Sequence, residues 1–464
     1  IAMPQPMAEA LGYPKTPVGF KDIVDLAADP QGWAKYGRPE WGAFKLGKTN
    51  PNFSTSGLNF TVAQYYAATG KKNGLSTEDL DRPDVEQFAN GVEQAVVHYG
   101  DITMTFLNNW FRADARGTAL TYASAVAIEE KSVIDYNAGN PDGVLSPGEV
   151  PRKPRVPLVA VYPKEGTLFS DNPLIVLDAP WVTDEQKQAA RKFEEFVQQP
   201  ENQQKVLQFG FRPGNPSVPI QAPIATANGV DPTQPSSVLD VPAPEVLTKI
   251  LDKWAEQRKT ARVLLVMDVS GSMGDTATED GADTKLDLAK RAAISSLDQF
   301  KDDDEVGLWV FSTDLPGVDA GAVYREVLPV SAIGRQREEM RRRIDDLFPV
   351  NGTPLYDVTA QAFTAMSDGY DAAKINAVVL LTDGMNDDGD RGDDAQQLNG
   401  LIEELRVGSE GANTRPVRIF PISYGVGGDL ATLRRIAEAS SAAVYDASNP
   451  ATIEQVFNAV VSNF

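Results

Sequence analysis

One run of apolar residues constrains the fold more than any other feature of this sequence. Val263–Met267 are five consecutive apolar residues, and Asp268 follows them directly. A short run that is apolar at every position is typical of a strand buried on both faces, as in parallel sheets covered by helices. In such sheets ligands bind at the carboxyl ends of the strands. The sequence therefore predicts a covered parallel sheet with Asp268 at its ligand-binding edge.

The rest of residues 261–464 alternates between strand and helix patterns. A second apolar run, Ala377–Leu381, marks another buried strand. The predicted strands are 262–267, 306–311, 377–382, 417–423 and 442–445, with an edge hairpin region near 322–330, and the predicted helices are 285–300, 335–347, 355–370, 396–407, 429–439 and 450–461. This alternation predicts an α/β fold with a doubly wound, mostly parallel, Rossmann-like sheet.

Polar residues gather where these strands end. Asp268, Ser270 and Ser272 follow the first apolar strand at two-residue steps, and Asp383 follows the second. Thr353 stands where a helix begins. Carboxylate and hydroxyl oxygens suit a hard cation such as Mg²⁺. Taken singly, Thr353 can instead be a helix N-cap and Asp383 a turn residue that bonds its own backbone.

Together these positions carry a family resemblance. The pattern DxSxS at 268–272, the threonine of NGTP at 351–354 and the aspartate of LLTDG at 380–384 resemble the metal-ion-dependent adhesion site of von Willebrand factor A domains. The resemblance covers residues 261–464 and includes Val310–Ser312 and Tyr424–Gly427. It implies a divalent cation, Mg²⁺ or else Mn²⁺ or Ca²⁺, and a protein partner whose carboxylate displaces a water from that cation.

The resemblance also implies a role for each residue. Ser270 and Ser272 bind the cation through their hydroxyls, and Thr353 binds it directly or through water. Asp268 and Asp383 act mainly through water or through hydrogen bonds to the other ligands. Acidic loops at 386–390 and 274–280 surround the site; we interpret them as solvated loops, with a second cation as the alternative. The tripeptide Arg391-Gly392-Asp393 is interpreted as a chance match to an adhesion motif.

Composition excludes several classes of function. The chain has 464 residues, which predicts two large domains or about three smaller ones. Its net charge of −22 argues against nucleic acid or an anionic membrane as partner. The absence of cysteine excludes disulfides, thiolate catalysis and cysteine-bound zinc. The single histidine, His98, argues against a Ser-His-Asp triad and excludes multi-histidine metal sites. No apolar stretch is long enough to span a membrane.

Residues 1–215 also predict an α/β unit. The predicted helices are 22–28, 62–68, 84–99, 124–135 and 184–199, and the predicted strands are 102–106, 158–162 and 174–177. His98 therefore lies in a predicted helix, where we assign it a surface or packing role. The loop 138–149 partly matches a calcium loop but lacks the first acidic ligand, so a plain turn is the favoured interpretation.

Five short segments of this first unit carry a second family resemblance: residues 44–51, 54–57, 161–167, 178–181 and 210–213. They resemble segments of bacterial extracellular solute-binding proteins of the type II periplasmic fold. In that family a longer first lobe precedes the strand that resembles residues 1–4, so the resemblance implies an incomplete solute cleft. Ser54, Thr55 and Ser56 precede a helical run and are the candidate solute ligands, because a helix N-terminus attracts anions. Ordinary N-capping is the alternative.

A proline-rich segment separates the two units. Residues 216–260 comprise an extended linker, semi-rigid through its prolines, and an amphipathic connecting helix at about 245–259. The predicted domains are therefore 1–215, a partial solute-binding domain, and 261–464, a von Willebrand factor A domain, with this connection between them.

The sequence predicts a non-enzymatic binding protein at the extracellular or cell surface of a bacterium. It would be anchored by a segment outside this chain and would grip a carboxylate of a protein partner through a divalent cation. The alternative is a solute receptor like those of ABC transporters, with an accessory A domain. A metal-dependent hydrolase is a third hypothesis, but no general base stands out. A chelatase-type assembly role is a fourth, and the exported character of solute-binding proteins argues against it.

Overall fold

The computed structural model describes residues 1–145, 148, 150–277, 282–319, 321–390, 392–409, 411, 415–425 and 427–464. They form two compact units: one is Ile1–Val96 with Ile102–Gln257, and the other is Val97–Asp101 with Arg258–Phe464. The predicted α/β fold class is confirmed. The strands are β1 Ala2–Pro4, β2 Leu46–Thr49, β3 Val96–Gly100, β4 Ala125–Val126, β5 Leu158–Ala160, β6 Ala261–Asp268, β7 Glu305–Phe311, β8 Tyr324–Ala332, β9 Ile375–Thr382, β10 Arg418–Tyr424 and β11 Tyr445–Ala447.

The helices complete both units. They are α1 Gln5–Ala10, α2 Phe20–Ala27, α3 Thr55–Thr69, α4 Thr77–Leu80, α5 Pro83–Gln94, α6 Thr103–Arg116, α7 Ala119–Tyr122, α8 Glu130–Ala138, α9 Asp184–Gln198, α10 Pro200–Leu207, α11 Pro244–Gln257, α12 Lys285–Ser296, α13 Ile333–Asp345, α14 Leu355–Asp368, α15 Asp394–Ser409, α16 Leu430–Ala439 and α17 Ile453–Val461. In the described ranges, no helix combines the length and the hydrophobicity that a membrane span requires.

The second unit is built on a six-stranded sheet with the order β11-β10-β9-β6-β7-β8. Every pairing is parallel except that of β7 with the edge strand β8. All residues of β9 are buried, as expected of a strand covered on both faces. Helices α14, α15 and α16 pack over Leu264 and Val266 of β6, while α12 packs against α13 and α17. The predicted doubly wound sheet is confirmed.

Strand register places the polar ends of this sheet together. Met267 pairs with Leu381, so Asp268 and Thr382 come next at the same edge of adjacent strands. Thr382 in turn pairs with Ser423 of β10. The carboxyl ends of β6, β9 and β10 therefore meet at one edge, because parallel strands in register end together.

The first unit contains four strands of a smaller sheet, in the order β2-β4-β1-β5. Strand β1 runs antiparallel to β4 and β5, and β2 runs parallel to β4. The core beside this sheet includes Phe106, Trp110 and Tyr136, all buried.

Three predictions for residues 84–135 were wrong. The helix predicted over 124–135 begins only at Glu130, and strand β4 precedes it. The helix predicted over 84–99 ends at Gln94, and His98 lies in β3, buried. Two adjacent β-branched residues, Val96 and Val97, favour a strand there. The strand predicted over 102–106 is the first turn of α6. Its apolar pattern continues through Trp110 at helical spacing, which outweighs the short local run.

A further prediction failed at residues 174–177, where the structure has no strand. Helix α9, which follows, has no buried residue among its fifteen. We call the apolar side chains of this region the exposed apolar surface: Leu174, Ile175, Leu177, Trp181, Phe193 and Phe196 are between 48% and 75% exposed. An apolar run predicts a strand only where another element covers it, and within the described part of this unit none does.

The proline-rich stretch differs from the extended linker that was predicted. Val218, Ile224 and Val230 are buried, and the two latter belong to the core of the first unit. Leu239 donates its backbone N–H to the carbonyl of Thr167 at 2.8 Å. Apolar residues between the prolines therefore fix this stretch onto the first unit. The helix predicted near 245–259 is present as α11 and buries Val246, Ile250 and Trp254.

Candidate metal centre

Asp268 and Asp383 anchor the candidate site at the carboxyl edge of the large sheet. Asp268 is the last residue of β6, and Asp383 directly follows β9. Both are almost completely buried, at 0% and 2% exposed. Strands β6 and β9 are adjacent, so the sheet itself brings these carboxylates, predicted from separate motifs, into one place.

The Asp268 carboxylate is held by hydrogen bonds on both oxygens. Its Oδ1 accepts the backbone N–H of Ser270 at 2.7 Å, and its Oδ2 accepts the hydroxyl of Thr382 at 2.6 Å. Burial raises the pKa of Asp268, the hydrogen bonds from Thr382 and Ser270 oppose this shift and the nearby Asp383 carboxylate adds to it, so that the pKa lies at about 7. These hydrogen bonds connect the turn after β6 to the end of β9.

The two serine hydroxyls continue this network. Ser270 Oγ lies 3.1 Å from Ser272 Oγ, and the Ser272 hydroxyl donates to Asp383 Oδ1 at 2.8 Å. A short 3-10 helix, Gly271–Gly274, turns the chain so that both side chains reach the same point. This turn therefore brings together the hydroxyl oxygens of two serines that are two residues apart in the sequence.

Thr353 joins the cluster from a third segment. The backbone N–H of Gly271 donates to the carbonyl of Asn351 at 2.7 Å, and Thr353 exchanges two backbone hydrogen bonds with Asp387, at 2.9 and 2.8 Å. A Cβ at Gly384 would lie 3.4 Å from Thr353 Oγ1, so the hydroxyl faces the end of β9. Because Pro354 is the N-cap of α14, Thr353 is not the capping residue.

Two further residues at this site were missed by sequence reasoning. Thr382 bonds Asp268, as described above, and Lys285 Nζ donates to Asp383 Oδ2 at 2.6 Å. Asp383 thus bonds side chains and is not the simple turn residue considered from sequence. The search for oxygen ligands at strand ends does not find Lys285, which is the first residue of α12. The only sequence signal for either residue was the position of Thr382 directly before Asp383 in the LLTDG motif.

These residues fit a hard divalent cation. All five predicted ligands present oxygen, and three of them are neutral hydroxyls, from Ser270, Ser272 and Thr353. Within the described ranges, no group of three or more Asp, Glu, His or Cys side chains is arranged to hold a metal, so the fit rests on hydroxyl ligands. A cation held this way would keep much of its charge and several waters, as Mg²⁺ usually does.

The acidic loop after β9 is organised by its own hydrogen bonds. Asp388 Oδ1 accepts the backbone N–H of Asp390 at 3.0 Å, and its Oδ2 accepts from Gln397 at 2.9 Å. These contacts are those of a loop that satisfies its own carboxylates. Glu279, Asp280 and Arg391, which were part of the predicted acidic loops and of the tripeptide, lie outside the described residues.

The candidate solute ligands lie at the start of α3, which begins at Thr55 and not after Ser56 as predicted. Ser54 is the N-cap residue, but its side chain makes no capping hydrogen bond and instead accepts the hydroxyl of Thr49 at 2.9 Å. The Ser56 hydroxyl donates to Glu129 Oε1 at 2.5 Å, and Thr55 is the first residue of the helix. A carboxylate already lies at this helix end, which disfavours a bound anion.

Two other predicted features are structural. His98 Nδ1 lies 2.7 Å from the carbonyl of Tyr99, and burial lowers the pKa of the imidazole well below its usual value. In the loop 138–149, Gly143 donates its N–H to the carbonyl of Asn140, as in a turn. Asp142 Oδ1 accepts the N–H of Val144. Ser146, Pro147 and Glu149 of this loop lie outside the described residues.

The second unit is a doubly wound α/β module with a cluster of carboxylate and hydroxyl oxygens at the carboxyl edge of its sheet. Residues 263–459 match the von Willebrand factor type A domain, and residues 8–231 match the bacterial extracellular solute-binding protein family. The chain therefore contains a von Willebrand factor A domain and a solute-binding-protein region, as both resemblances predicted.

Two curated relatives are uncharacterized proteins of Mycobacterium tuberculosis, from strains CDC 1551 / Oshkosh and ATCC 25618 / H37Rv. Each is 23% identical over 282 residues, which is 58% of this chain and 37% of the relative. The matched part thus spans little more than a third of either relative.

Similar solved structures include a von Willebrand factor type A protein from Catenulispora acidiphila, 22% identical, covering 44% of this chain and 42% of that one with a TM-score of 0.33. Another is proximal thread matrix protein 1 from the mussel byssus, with a zinc-occupied MIDAS motif; it is 16% identical and covers 44% and 47%, with a TM-score of 0.32. The pilus adhesin SpaC from Lactobacillus rhamnosus GG is 16% identical and covers 44% and 30%, with a TM-score of 0.34.

Proposed function

We propose that this chain is a non-enzymatic extracellular binding protein whose A domain grips a carboxylate of a protein partner through a divalent cation. One observation carries the proposal: Asp268, Ser270, Ser272, Thr353 and Asp383, from three distant segments, meet at one edge of the sheet. Mg²⁺ is the cation that suits this set, with Mn²⁺ or Ca²⁺ as substitutes.

The chemistry of the ligands favours a bridging role for the cation over a closed structural role. Three hydroxyls contribute no formal charge, and the Asp383 carboxylate already shares its charge with Lys285. A bound divalent cation would therefore attract one more anionic ligand. The chain itself has a net charge of −22, so an acidic partner would be repelled unless a cation were present.

The site offers little to hydrolytic chemistry, which supports a non-enzymatic role. Both carboxylates are engaged: Asp268 accepts from Ser270 and Thr382, and Asp383 accepts from Ser272 and Lys285. A general base needs a carboxylate or an imidazole that can reach a proton of the substrate. The only histidine of the sequence, His98, is buried and bonded to a backbone carbonyl.

Water-proton relaxation of Mn²⁺ tests the proposal directly. Wild-type protein loaded with Mn²⁺ should show enhanced relaxation from waters that stay on the cation. A peptide bearing a glutamate side chain should lower that enhancement, because its carboxylate displaces water, while the matching glutamine peptide should not. The Ser272→Ala variant serves as the control that lacks one ligand. Equal responses to the two peptides, or an unaltered response in the variant, would refute the metal-bridged grip.

A solute receptor remains the second candidate, because residues 8–231 match a solute-binding family. The contact between Ser56 and Glu129 argues against oxyanions as its solute, since the carboxylate would repel them. Neutral sugars and amino acids are the better probes. A rise in the thermal midpoint with one of them, lost in Ser56→Ala, would support this candidate, and a screen without any shift would count against it.

A further inference from the structure

Lys285 occupies an unusual position for a basic side chain. It is the first residue of α12, where the aligned peptide dipoles carry a partial positive charge that disfavours cations. The N-terminus is already capped, since Thr284 accepts the N–H of Asp287 at 3.1 Å. Lys285 therefore contributes nothing to the capping of the helix, and its placement must be stabilised by another group.

That group is the Asp383 carboxylate. Lys285 Nζ lies 2.6 Å from Asp383 Oδ2, and the two side chains are 15% and 0% exposed. The other oxygen, Oδ1, accepts the hydroxyl of Ser272 at 2.8 Å. One carboxylate thus faces the candidate cation ligands with one oxygen and an internal ammonium group with the other.

The fold provides room for this contact. A Cβ at Gly425 would lie 3.3 Å from Lys285 Cε, which is tighter than most Cβ contacts, and 3.5 Å from its Cδ, which is an ordinary contact. Gly425 also has φ +69, in the left-handed region that glycine adopts without strain. Because Gly425 has no side chain, the turn after β10 leaves space for the aliphatic part of Lys285, whose ammonium group contacts Asp383.

We propose that Lys285 is an internal counter-cation that sets how strongly the site binds a divalent cation and how far that binding depends on a partner's carboxylate. The proposal rests on the cation site of the proposed function. By sharing the negative charge of Asp383, Lys285 weakens binding of the cation alone. The bound cation then keeps more uncompensated charge, so a carboxylate from the partner stabilises it more.

Mn²⁺ titration followed by electron paramagnetic resonance, which counts free Mn²⁺, tests this proposal. Lys285→Met removes the charge while keeping most of the side-chain volume, and Lys285→Gln is a second neutral variant if the first does not fold. Lys285→Arg keeps the charge. Lys290→Met is the matched control, because Lys290 lies on the same helix and donates to the carbonyl of Leu347. Each protein is titrated with and without sodium acetate as the carboxylate probe.

The neutral variants should bind Mn²⁺ about tenfold more tightly than wild type, with Lys285→Arg and Lys290→Met close to wild type. Acetate should strengthen Mn²⁺ binding more in wild type than in Lys285→Met. If wild type binds Mn²⁺ and the folded neutral variants bind it equally or more weakly, Lys285 is not a competing counter-cation and the proposed function survives. If neither wild type nor the variants bind Mn²⁺, both proposals fail.

Discussion

At the scale of single residues, the hydrogen bond from Thr382 to Asp268 joins two adjacent strands at the site. The hydroxyl lies 2.6 Å from a carboxylate oxygen that has no access to solvent. Thr382→Val keeps the shape of the side chain but removes the donor. It should lower the free energy of unfolding by about 1–3 kcal/mol, since a buried polar atom loses its partner. Urea unfolding measures this, and Thr382→Ser, which keeps the hydroxyl, should lose clearly less.

The buried ammonium group of Lys259 is expected to make the free energy of unfolding depend on pH. Lys259 is 7% exposed, and its pKa is lowered from 10.5 to about 8, mainly by burial, with Asp371 opposing the shift and Arg418 adding to it. Between about pH 8 and pH 10.5 the unfolded chain holds this proton and the folded chain does not, so the stability contributed by Lys259 rises with pH. Below that window the buried charge destabilises the fold.

Lys259→Met should therefore be more stable than wild type at pH 7, and its advantage should shrink by pH 10. Urea unfolding of both proteins at the two pH values measures the difference, which removes contributions from other titrating groups. A constant difference between the two proteins would show that Lys259 keeps its ordinary pKa in the fold.

At this scale the sequence was informative about ligands and silent about their partners. Asp268 and Asp383 could be assigned because each ends an apolar strand, and strand ends meet at a known edge. Lys285 could not be assigned, because its contact with Asp383 crosses 98 positions and depends on where α12 packs. Ser56 could be placed at a helix start, but the contact with Glu129 depends on tertiary packing.

Among the elements, the start of β6 is secured by a buried ion pair. Arg258 and Asp304 pair at 2.6 Å, with side chains 8% and 0% exposed, and Asp304 also accepts the N–H groups of Ala261 and Lys301. Asp304→Ala should destabilise the protein by about 3–5 kcal/mol, because it leaves a buried guanidinium uncompensated. Chemical denaturation provides the measurement.

The matched control is the solvent-exposed pair of Arg291 and Asp283, with side chains 56% and 52% exposed. Asp283→Ala should leave the free energy of unfolding near that of wild type, since solvent screens such pairs. Equal decreases in the free energy of unfolding for the two substitutions would show that the buried pair stabilises the fold no more than the exposed pair.

Prediction of elements succeeded where the apolar pattern was long and failed where it was short. Strands β6 and β9 are apolar along most of their length and were placed within two residues of their observed ends. In the segment 94–106 the predicted helix was too long, and a strand was predicted where α6 begins. A helix end, a strand and a new helix follow one another there within few residues. Such short runs satisfy helix and strand patterns equally, and tertiary packing decides between them.

For the whole molecule, the exposed apolar surface predicts a change in behaviour in solution. Exposed apolar side chains bind hydrophobic dyes and promote association. The triple variant Trp181→Ser, Phe193→Ser and Phe196→Ser should bind less 8-anilinonaphthalene-1-sulfonate than wild type, with an unchanged thermal midpoint, because none of these residues is buried. Glu194→Ser with Glu195→Ser, on the same helix, is the control and should leave dye fluorescence unaltered.

A divalent cation should stabilise the molecule through the A domain. A ligand that binds only the folded state at one hundred times its Kd adds about 2.7 kcal/mol to the free energy of unfolding. Calorimetry with Mg²⁺ and with a chelator should therefore show a transition that moves to higher temperature with the cation. The same scan on Ser272→Ala should show a smaller shift, and an identical shift would place the cation elsewhere.

At this scale the sequence revealed two α/β units and their families but not their limits. Residues 216–243 were interpreted as a linker from their prolines, whereas Val218, Ile224 and Val230 are buried in the first unit. Composition describes the average of a segment, and a few well-spaced apolar residues are enough to fix it to a core. The exposed apolar surface could not be anticipated for the same reason, because pattern alone does not say which partner element is present.

The hydrogen bonds of the candidate site join residues that are far apart in the sequence, and this has one more consequence. Thr382 and Asp268 bond across 114 positions, and Ser272 and Asp383 across 111. A calcium loop collects its ligands from twelve consecutive residues and can form in a short peptide. Here no fragment that ends before β9 contains all five candidate ligands, however well it preserves the DVSGS motif. Release of a cation bound there as proposed would therefore report the separation of β6 from β9, and so the integrity of the sheet.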